Sequence, residues 1–291
     1  MPYKEPAFLK LSAPLFYAAV AFDAGLRNFS ANGILSLVPE EIITQDSAKQ
    51  AQAYPAEASR EMIEAGVFYG RKKNKTNPKM RSFVLTNRGG IEVINLQKTG
   101  ESLDRALGFI KERVRQNGLP LIVGTEPAAE NTIKALAEKF KLPYVTLRWI
   151  GGTITNFKII SKRVEHMQQL RKDLASGALD KYTKKERLEM EREMNRLIEL
   201  MGGLENMPKE PDILIMIDPN LHSTAVREAR IKKIPIVALA NVDADPDLID
   251  YLVPGNDKAR KSIEWFLENV ERAIKEGISM RAAPVEEKKE A

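Results

Sequence analysis

Cysteine is absent from this chain of 291 residues, and histidine occurs only twice, as His166 and His222. A chain without cysteine has neither disulfide bonds nor thiolate metal sites, and two histidines are too few for most histidine-based metal centres. We therefore expect no metal site. No apolar run approaches the ~20 residues that a membrane-spanning helix needs, so we also expect no membrane partner.

The glycine-rich motifs that hold nucleotide phosphates are missing as well, because neither G-x-G-x-x-G nor G-x-x-x-x-G-K-[ST] occurs. Gly124-Thr125 precedes a predicted helix, whose free N–H groups could bind a phosphate. Glu126 would repel that anion, and Pro127 removes one of the donors. We therefore expect no cofactor and no small-molecule substrate. The alternative is a nucleotide whose phosphate binds at this turn.

Positive charge exceeds negative charge only slightly, but it is unevenly distributed. The chain has 45 basic and 40 acidic residues, and residues 71–88, which we call the basic stretch, hold seven cations and no acid. A clustered run of one sign is typical of proteins that bind polyanions. The alternative is a solvated loop, which the mutual repulsion of seven like charges disfavours.

Short apolar runs alternate with helical patterns over most of the chain. Buried-strand patterns occur at residues 119–123, 144–147, 213–217 and 236–239. Helices with i, i+3, i+4 spacing separate them, which predicts parallel βαβ units. The fold class is therefore α/β, with a parallel sheet flanked by helices. Residues 82–86 and 91–94 predict an additional β-hairpin, and Thr99 is predicted to begin the helix after it.

One long charged insertion, residues 155–203, interrupts this alternation. Its first seam steps 4, 3, 4, 3 and its second 4, 3, 4, a spacing typical of coiled coils. Thr183 and Glu186 are placed to form a capping box. We predict an antiparallel coiled-coil hairpin that protrudes, with a plain structural arm as the alternative. The seam residues are Ile160, Val164, Met167, Arg171 and Leu174, then Met190, Met194, Leu197 and Met201.

Residues 148–157, which we call the junction, lie where the α/β pattern passes into the insertion. Arg148 and Trp149 stand beside Gly151 and Gly152 in this stretch. Phosphates attract a fixed charge, unpaired bases stack on aromatic rings, and glycine permits close approach of the backbone. The junction therefore suits an RNA surface, and the alternative is a buried tryptophan in a tight turn.

Four aspartates, Asp218, Asp243, Asp245 and Asp247, come just after predicted strands. Ligand sites of α/β proteins form at that edge, and carboxylates could hold Mg²⁺ for phosphoryl chemistry. An enzyme of this kind is the first alternative function, although aspartates beside proline are also ordinary turn residues. A protein adaptor that uses the coiled coil is the second.

Segments between residues 64 and 277 resemble, in order, the bacterial form of the ribosomal protein S2 family of the small subunit. The matching segments are Ala65-Gly66-Val67, Asn77-Pro78-Lys79-Met80, Asn95-Leu96-Gln97-Lys98-Thr99, Val123-Gly124-Thr125, Arg148-Trp149-Ile150-Gly151-Gly152, Thr155-Asn156-Phe157-Lys158, Thr183-Lys184-Lys185-Glu186, Pro211-Asp212, Ile217-Asp218, Glu228-Ala229, Ile234-Pro235 and Pro254-Gly255-Asn256-Asp257. The chain departs from the family at Phe68 and Arg71, where histidines are usual, so no histidine-mediated contact is carried over.

The resemblance implies a flavodoxin-like α/β domain, over residues 59–154 and 204–280, with the coiled-coil hairpin inserted at 155–203. We expect residues 1–58 to be an N-terminal extension without a counterpart in the family, weakly structured or bound to a partner, and residues 281–291 to be a flexible tail. The resemblance further implies no enzymatic activity, which removes the Mg²⁺ hypothesis. It places the protein in the cytoplasm, on the small ribosomal subunit.

The implied partners are small-subunit rRNA near the head–body junction and neighbouring ribosomal proteins, including the largest, which handles mRNA. We expect phosphate contacts from the basic stretch, and contacts with backbone and exposed bases around the root of the hairpin. The predicted rRNA-binding residues are Arg71, Lys72, Lys73, Lys75, Asn77, Lys79, Arg81, Arg88, Lys98, Arg148, Trp149, Gly151, Gly152, Thr155, Asn156, Lys158, Lys162 and Arg163.

Overall fold

The computed structural model describes residues 56–176 and 182–281. Its strands are β1 (Tyr69–Lys72), β2 (Val84–Arg88), β3 (Ile91–Ile94), β4 (Pro120–Val123), β5 (Tyr144–Val145), β6 (Ile213–Ile217), β7 (Ile236–Ala240) and β8 (Tyr251–Pro254). Its helices are α1 (Ala56–Glu64), α2 (Leu96–Arg115), α3 (Pro127–Phe140), α4 (Phe157–Ala175), α5 (Lys184–Met201), α6 (Ser223–Ile231) and α7 (Arg260–Ser279). The predicted N-terminal extension up to residue 55 and the predicted tail after Arg281 lie outside the described residues.

The larger sheet has five parallel strands in the order β5-β4-β6-β7-β8. Numbered along the chain, its strands lie in the order 2-1-3-4-5, which is the flavodoxin-like order. The α/β prediction is confirmed. Every residue of β4, β6 and β7 is buried, because helices cover both faces of the sheet.

Alternate side chains of these strands enter two separate cores. Ile215 and Leu239 face one core, which α2, α3 and α7 cover. Met216 and Ala238 face the other core, which α6 and the inner sides of α4 and α5 cover. The insertion is therefore anchored to one face of the sheet by side chains such as Ile160 and Met201, both fully buried.

The smaller sheet is antiparallel, in the order β1-β3-β2. The predicted hairpin is confirmed by β2 and β3, and its turn uses positive φ at Gly89 (+54°) and Gly90 (+81°). Met80 and Ile94 pack with Val242, which follows β7, and the Asn77 N–H donates to the Val242 carbonyl at 2.8 Å. The smaller sheet and the basic stretch thus lie over the carboxyl edge of the larger sheet.

Helices α4 and α5 pack against each other, and α5 begins with the predicted capping box. The N–H of Thr183 donates to the Glu186 carboxylate at 2.9 Å, and the N–H of Glu186 donates to the Thr183 hydroxyl at 3.4 Å. In α4 the buried seam continues from Met167 to Leu170, whereas Arg171 is exposed and pairs with Glu205 at 2.7 Å. Among residues 56–176 and 182–281, no helix is long and apolar enough to cross a membrane.

Candidate nucleic-acid interface

The junction wraps around one buried carboxylate, that of Glu228 in α6. Its Oε1 accepts hydrogen bonds from the Trp149 indole N–H at 3.0 Å and the Gly152 N–H at 2.8 Å. Its Oε2 accepts from the backbone N–H groups of Ile154 and Thr155 at 3.0 and 3.1 Å, and from the Thr155 hydroxyl at 3.1 Å. Five donors from one short stretch therefore converge on a single side chain.

Glu228 remains charged in this setting. Burial raises the pKa of its carboxyl group, but the hydrogen bonds from Trp149, Gly152, Thr155 and Ile154 lower it, and the net pKa lies below the ordinary value of 4.5. Charged acceptors make the stronger hydrogen bonds, so this carboxylate fixes the shape of the junction. Sequence reasoning assigned Glu228 no role. The sequence signal that could have indicated its role was a glutamate on the buried face of a short helix.

Gly152 is required by this geometry, because its φ of +89° lies in the left-handed region. A Cβ at this position would also lie 3.2 Å from the Cβ of Asn156. Gly151 is exposed and has open space around it. The two glycines thus differ: Gly152 serves the turn, and Gly151 leaves the backbone accessible.

Trp149 does not take the predicted base-stacking position. Its side chain belongs to the core beneath the sheet and is only 9% exposed. A side chain this deeply buried is not available for a base to stack on, so the alternative of a buried tryptophan in a tight turn holds here. Trp149 positions the junction through its hydrogen bond to Glu228.

The remaining predicted residues of this region face solvent. Arg148, Thr155 and Asn156 are exposed at the junction, although the backbone and hydroxyl of Thr155 also bind Glu228. Asn156 precedes α4, and its side chain makes no cap hydrogen bond. Along the first turns of α4 the exposed cations are Lys158, Lys162 and Arg163. This arrangement presents a cationic helix start beside a rigid turn.

Most of the basic stretch is also exposed. It is not an irregular loop: after β1 it forms two short 3₁₀ helices, Lys73–Lys75 and Pro78–Phe83. Five of its seven cations are exposed and form no ion pair with any residue that the structure describes. These five are Lys72, Lys73, Lys75, Arg81 and Arg88.

The other predicted members of this set already have partners within the chain. Lys79 pairs with Asp245 at 3.0 Å and with Asp247 at 2.5 Å, and the Asn77 side chain accepts from the Lys79 N–H at 3.0 Å. The Lys98 ammonium group donates to the carbonyl of Ser82. These groups stabilise the fold of the basic stretch, and Lys79 is still half-exposed.

Arg71 departs most from its predicted role. Its guanidinium group donates to both carboxylate oxygens of Asp257, at 2.9 and 3.2 Å, and lies 3.5 Å from Asp243 and 3.9 Å from Asp218. Its side chain is only 24% exposed. Arg71 therefore neutralises buried aspartates and is not a free phosphate contact.

The strand-end aspartates are accordingly occupied by cations of the chain itself. Lys258 pairs with Asp218 at 3.0 Å and also with Glu126. Among the described residues, no group of histidine, aspartate and glutamate side chains has the arrangement of a metal site. The Mg²⁺ alternative thus finds no support in the aspartates that suggested it, because Arg71, Lys79 and Lys258 pair with them.

Burial dominates the protonation of this cluster. It raises the pKa of Asp257 to about 7, with the neighbouring Asp218 as the second cause, while Arg71 opposes the shift. Burial likewise raises the pKa of Asp218, and it lowers that of Lys258. The nearby His222 is buried, and its pKa falls to about 4, so it is neutral at pH 7.

The turn at Gly124-Thr125 shows why the phosphate alternative fails there. A Cβ on Gly124 would lie 2.7 Å from a methyl carbon of Ile133, so close packing accounts for this glycine. The Thr125 N–H points to Nε2 of His222 at 3.4 Å, and Glu126 precedes α3 with its carboxylate paired to Lys258. The start of α3 is therefore already occupied by side chains.

Comparisons with known proteins identify the family. Residues 62–277 match the family described as Ribosomal protein S2. The chain is 40% identical over 227 residues to "Small ribosomal subunit protein uS2" of Thermus thermophilus, covering 78% of this chain and 88% of that protein. It is 39% identical over 223 residues to the protein of the same name from Nocardia farcinica, covering 77% and 78%.

A third relative, from Corynebacterium diphtheriae, carries the same name and is 40% identical over 223 residues, covering 76% of this chain and 84% of its own length. The predicted resemblance is confirmed, and relatives of this kind are ribosomal proteins and not enzymes, as the sequence predicted. The chain belongs to the ribosomal protein S2 family of the small ribosomal subunit.

Proposed function

We propose that this protein is a structural constituent of the small ribosomal subunit that binds small-subunit rRNA through the basic stretch and the junction. One observation carries the proposal: Lys72, Lys73, Lys75, Arg81 and Arg88 are exposed, close in sequence and without an acidic partner among the described residues. Like charges this close repel one another, and phosphates would neutralise them.

The junction supports a second contact of the same kind. Its turn is held rigid by Glu228, so Arg148, Asn156 and Lys158 are presented without a large loss of conformational freedom on binding. The exposed backbone of Gly151 allows close approach to a sugar–phosphate chain. Lys162 and Arg163 extend this cationic surface along α4.

We further propose that α4 and α5 form the protruding antiparallel coiled coil, residues 155–203, on an rRNA-binding domain of residues 59–154 and 204–280. Beyond their shared seam the helices expose Ile159 (48%) and Leu188 (45%). Exposed apolar side chains on a projecting arm suit contacts with neighbouring ribosomal proteins, including the largest, mRNA-handling one. Binding near the head–body junction of the subunit in the cytoplasm completes the proposal.

The test compares two double variants of the full chain for binding to in vitro transcribed small-subunit rRNA across a salt series. Lys73→Gln with Lys75→Gln removes two charges from the basic stretch. Lys261→Gln with Lys275→Gln removes two exposed charges from α7 and is the matched control.

We expect the first pair to reduce the slope of log K against log salt by about 2, since each phosphate contact contributes about 1. The control pair should leave the slope nearly unchanged. Equal slopes for native protein and both variants would show that the basic stretch does not contact phosphates.

A further inference from the structure

A second group of unpaired cations lies at the opposite edge of the larger sheet. Arg113 is near the end of α2, which leads into β4, and Arg230 and Lys233 are at the end of α6, which leads into β7. Residues just before parallel strands lie at the amino edge, away from the basic stretch at the carboxyl edge. These three residues line an open cavity of about 410 Å³, together with Ile234, Pro235 and Asp250.

The surrounding acids are already engaged. Glu112 pairs with Arg115 and Glu210 with Lys232, each at 2.7 Å. Asp212 pairs with Lys209 at 2.7 Å and accepts the Leu119 N–H at 2.8 Å. Asp250 lines the cavity, is exposed and accepts the Ile236 N–H at 2.9 Å, so it is the one carboxylate in the lining that no cation of the described residues pairs with.

The three cations, by contrast, form no ion pair or side-chain hydrogen bond with any residue in the described parts of the chain. The guanidinium carbon of Arg113 lies 5.5 Å from the ring centre of Phe109, which leaves its N–H groups available. Cations near helix C-termini are also favoured by the helix dipole, which could explain each of these residues separately. The dipole does not explain why cations from the ends of two helices line the same cavity. The lining therefore holds three cationic residues and one carboxylate, which leaves an excess of positive charge.

The backbone at Lys233 adds an independent observation. Its φ of +56° lies in the left-handed region, where a Cβ causes strain and glycine is the usual residue after a helix. Lys141, which follows α3, has the same conformation at φ +52° but does not line the cavity. A strained position that carries a lysine beside the cavity is compatible with a binding role for that ammonium group.

We infer that Arg113, Arg230 and Lys233 form a further contact for the phosphate backbone of RNA, in addition to the basic stretch and the junction, on the edge of the sheet opposite the basic stretch. The inference rests on the proposed rRNA binding and adds a site to it. Phosphate is favoured over a protein carboxylate as the ligand because three cationic residues line one cavity, and consecutive phosphates of one RNA strand supply several negative charges.

The experiment measures binding of the full chain to in vitro transcribed small-subunit rRNA across a salt series. Arg113→Gln with Arg230→Gln should reduce the slope of log K against log salt by about 2, and roughly tenfold weaker binding is expected at fixed low salt. The α7 pair Lys261→Gln with Lys275→Gln is again the matched control. Lys233→Gly and Lys141→Gly separate binding from stability, because both relieve a strained backbone.

Both glycine variants should raise the midpoint of thermal unfolding, and only Lys233→Gly should weaken rRNA binding. An unchanged slope for the double arginine variant, with native binding intact, would overturn the inference and leave the proposed function standing. Loss of association with a ribosomal protein while rRNA binding is unchanged would assign the cavity to an acidic protein segment instead, which also overturns it. If the native chain itself fails to bind rRNA, the proposed function fails.

Discussion

Replacing Glu228 by glutamine should destabilise the fold far more than so conservative a change suggests. The glutamine keeps one acceptor oxygen and places an amide NH₂ where the other oxygen was. If the NH₂ replaces Oε1, it faces the Trp149 and Gly152 N–H groups; if it replaces Oε2, it faces those of Ile154 and Thr155. In either orientation one buried donor, on Trp149 or Ile154, and one part-buried donor, on Gly152 or Thr155, lose their acceptor.

A buried donor without an acceptor costs about 1–3 kcal/mol and a part-buried one costs less, so we expect the free energy of unfolding to fall by about 1–4 kcal/mol. Urea unfolding measures this change as a shift in midpoint. Glu268→Gln, on the exposed side of α7, is the matched control and should change stability by less than about 0.5 kcal/mol. A Glu228→Gln variant as stable as this control would refute the view that the carboxylate organises the junction.

The same residue predicts a pH dependence. Because the pKa of Glu228 is lower in the folded state than its ordinary value of 4.5, its contribution to stability is present above that value. The contribution is lost as the pH falls through the folded-state pKa. The difference in stability between native protein and Glu228→Gln should therefore shrink on acidification below pH 4.5, which urea unfolding at several pH values would detect.

Three further changes test other parts of the fold. Burial raises the pKa of Asp257 from 3.8 to about 7. The folded state therefore binds this proton more tightly than the unfolded state, and the free energy of unfolding falls as the pH rises from about 4 to about 7. Asp257→Asn should flatten the pH dependence of urea unfolding over this range. Gly203→Ala would put a Cβ 2.3 Å from the Tyr144 carbonyl oxygen and should cost about 1–3 kcal/mol or more in thermal unfolding. Thr183→Ala removes a capping box and should lower the helix stability of α5 by about 1 kcal/mol, seen as faster proteolysis there.

The periodic parts of the fold could be predicted from the sequence because burial itself is periodic. Residues 213–217 and 236–239 are continuous apolar runs, and both are buried strands of the parallel sheet. Helix boundaries were less predictable. Thr99 was expected to begin α2, but the helix starts at Leu96, because the Asn95 side chain caps it and accepts from the N–H groups of Gln97 and Lys98. The hydroxyl of Thr99 instead donates to the Pro254 carbonyl at 2.8 Å.

The site was harder to predict because its decisive partners are distant in sequence. The basic stretch was visible as a run of charge, but Arg71 differs from Lys72 because it pairs with distant aspartates, above all Asp257, which lies 186 residues away. Trp149 and Glu228 are similarly separated by 79 residues. A charged or aromatic residue can be recognised as a candidate from the sequence. Whether it is already bound to another side chain of the fold depends on contacts between residues far apart in sequence, which local spacing does not reveal.

The carboxyl edge of the sheet shows the same distinction at the level of the fold. In flavodoxin-like sheets a ligand crevice forms where the strand order reverses, here between β4 and β6. In this chain His222 accepts the Thr125 N–H in the turn after β4. Lys258 pairs with both Glu126 and Asp218, and Arg71 pairs with the neighbouring Asp257. Side chains of the protein thus fill the place where such a fold holds a small molecule. Among the described residues, the cations without partners lie outside that crevice, on the surface, where a polyanion can reach them. The fold thus provides a crevice, while the side chains decide what is bound.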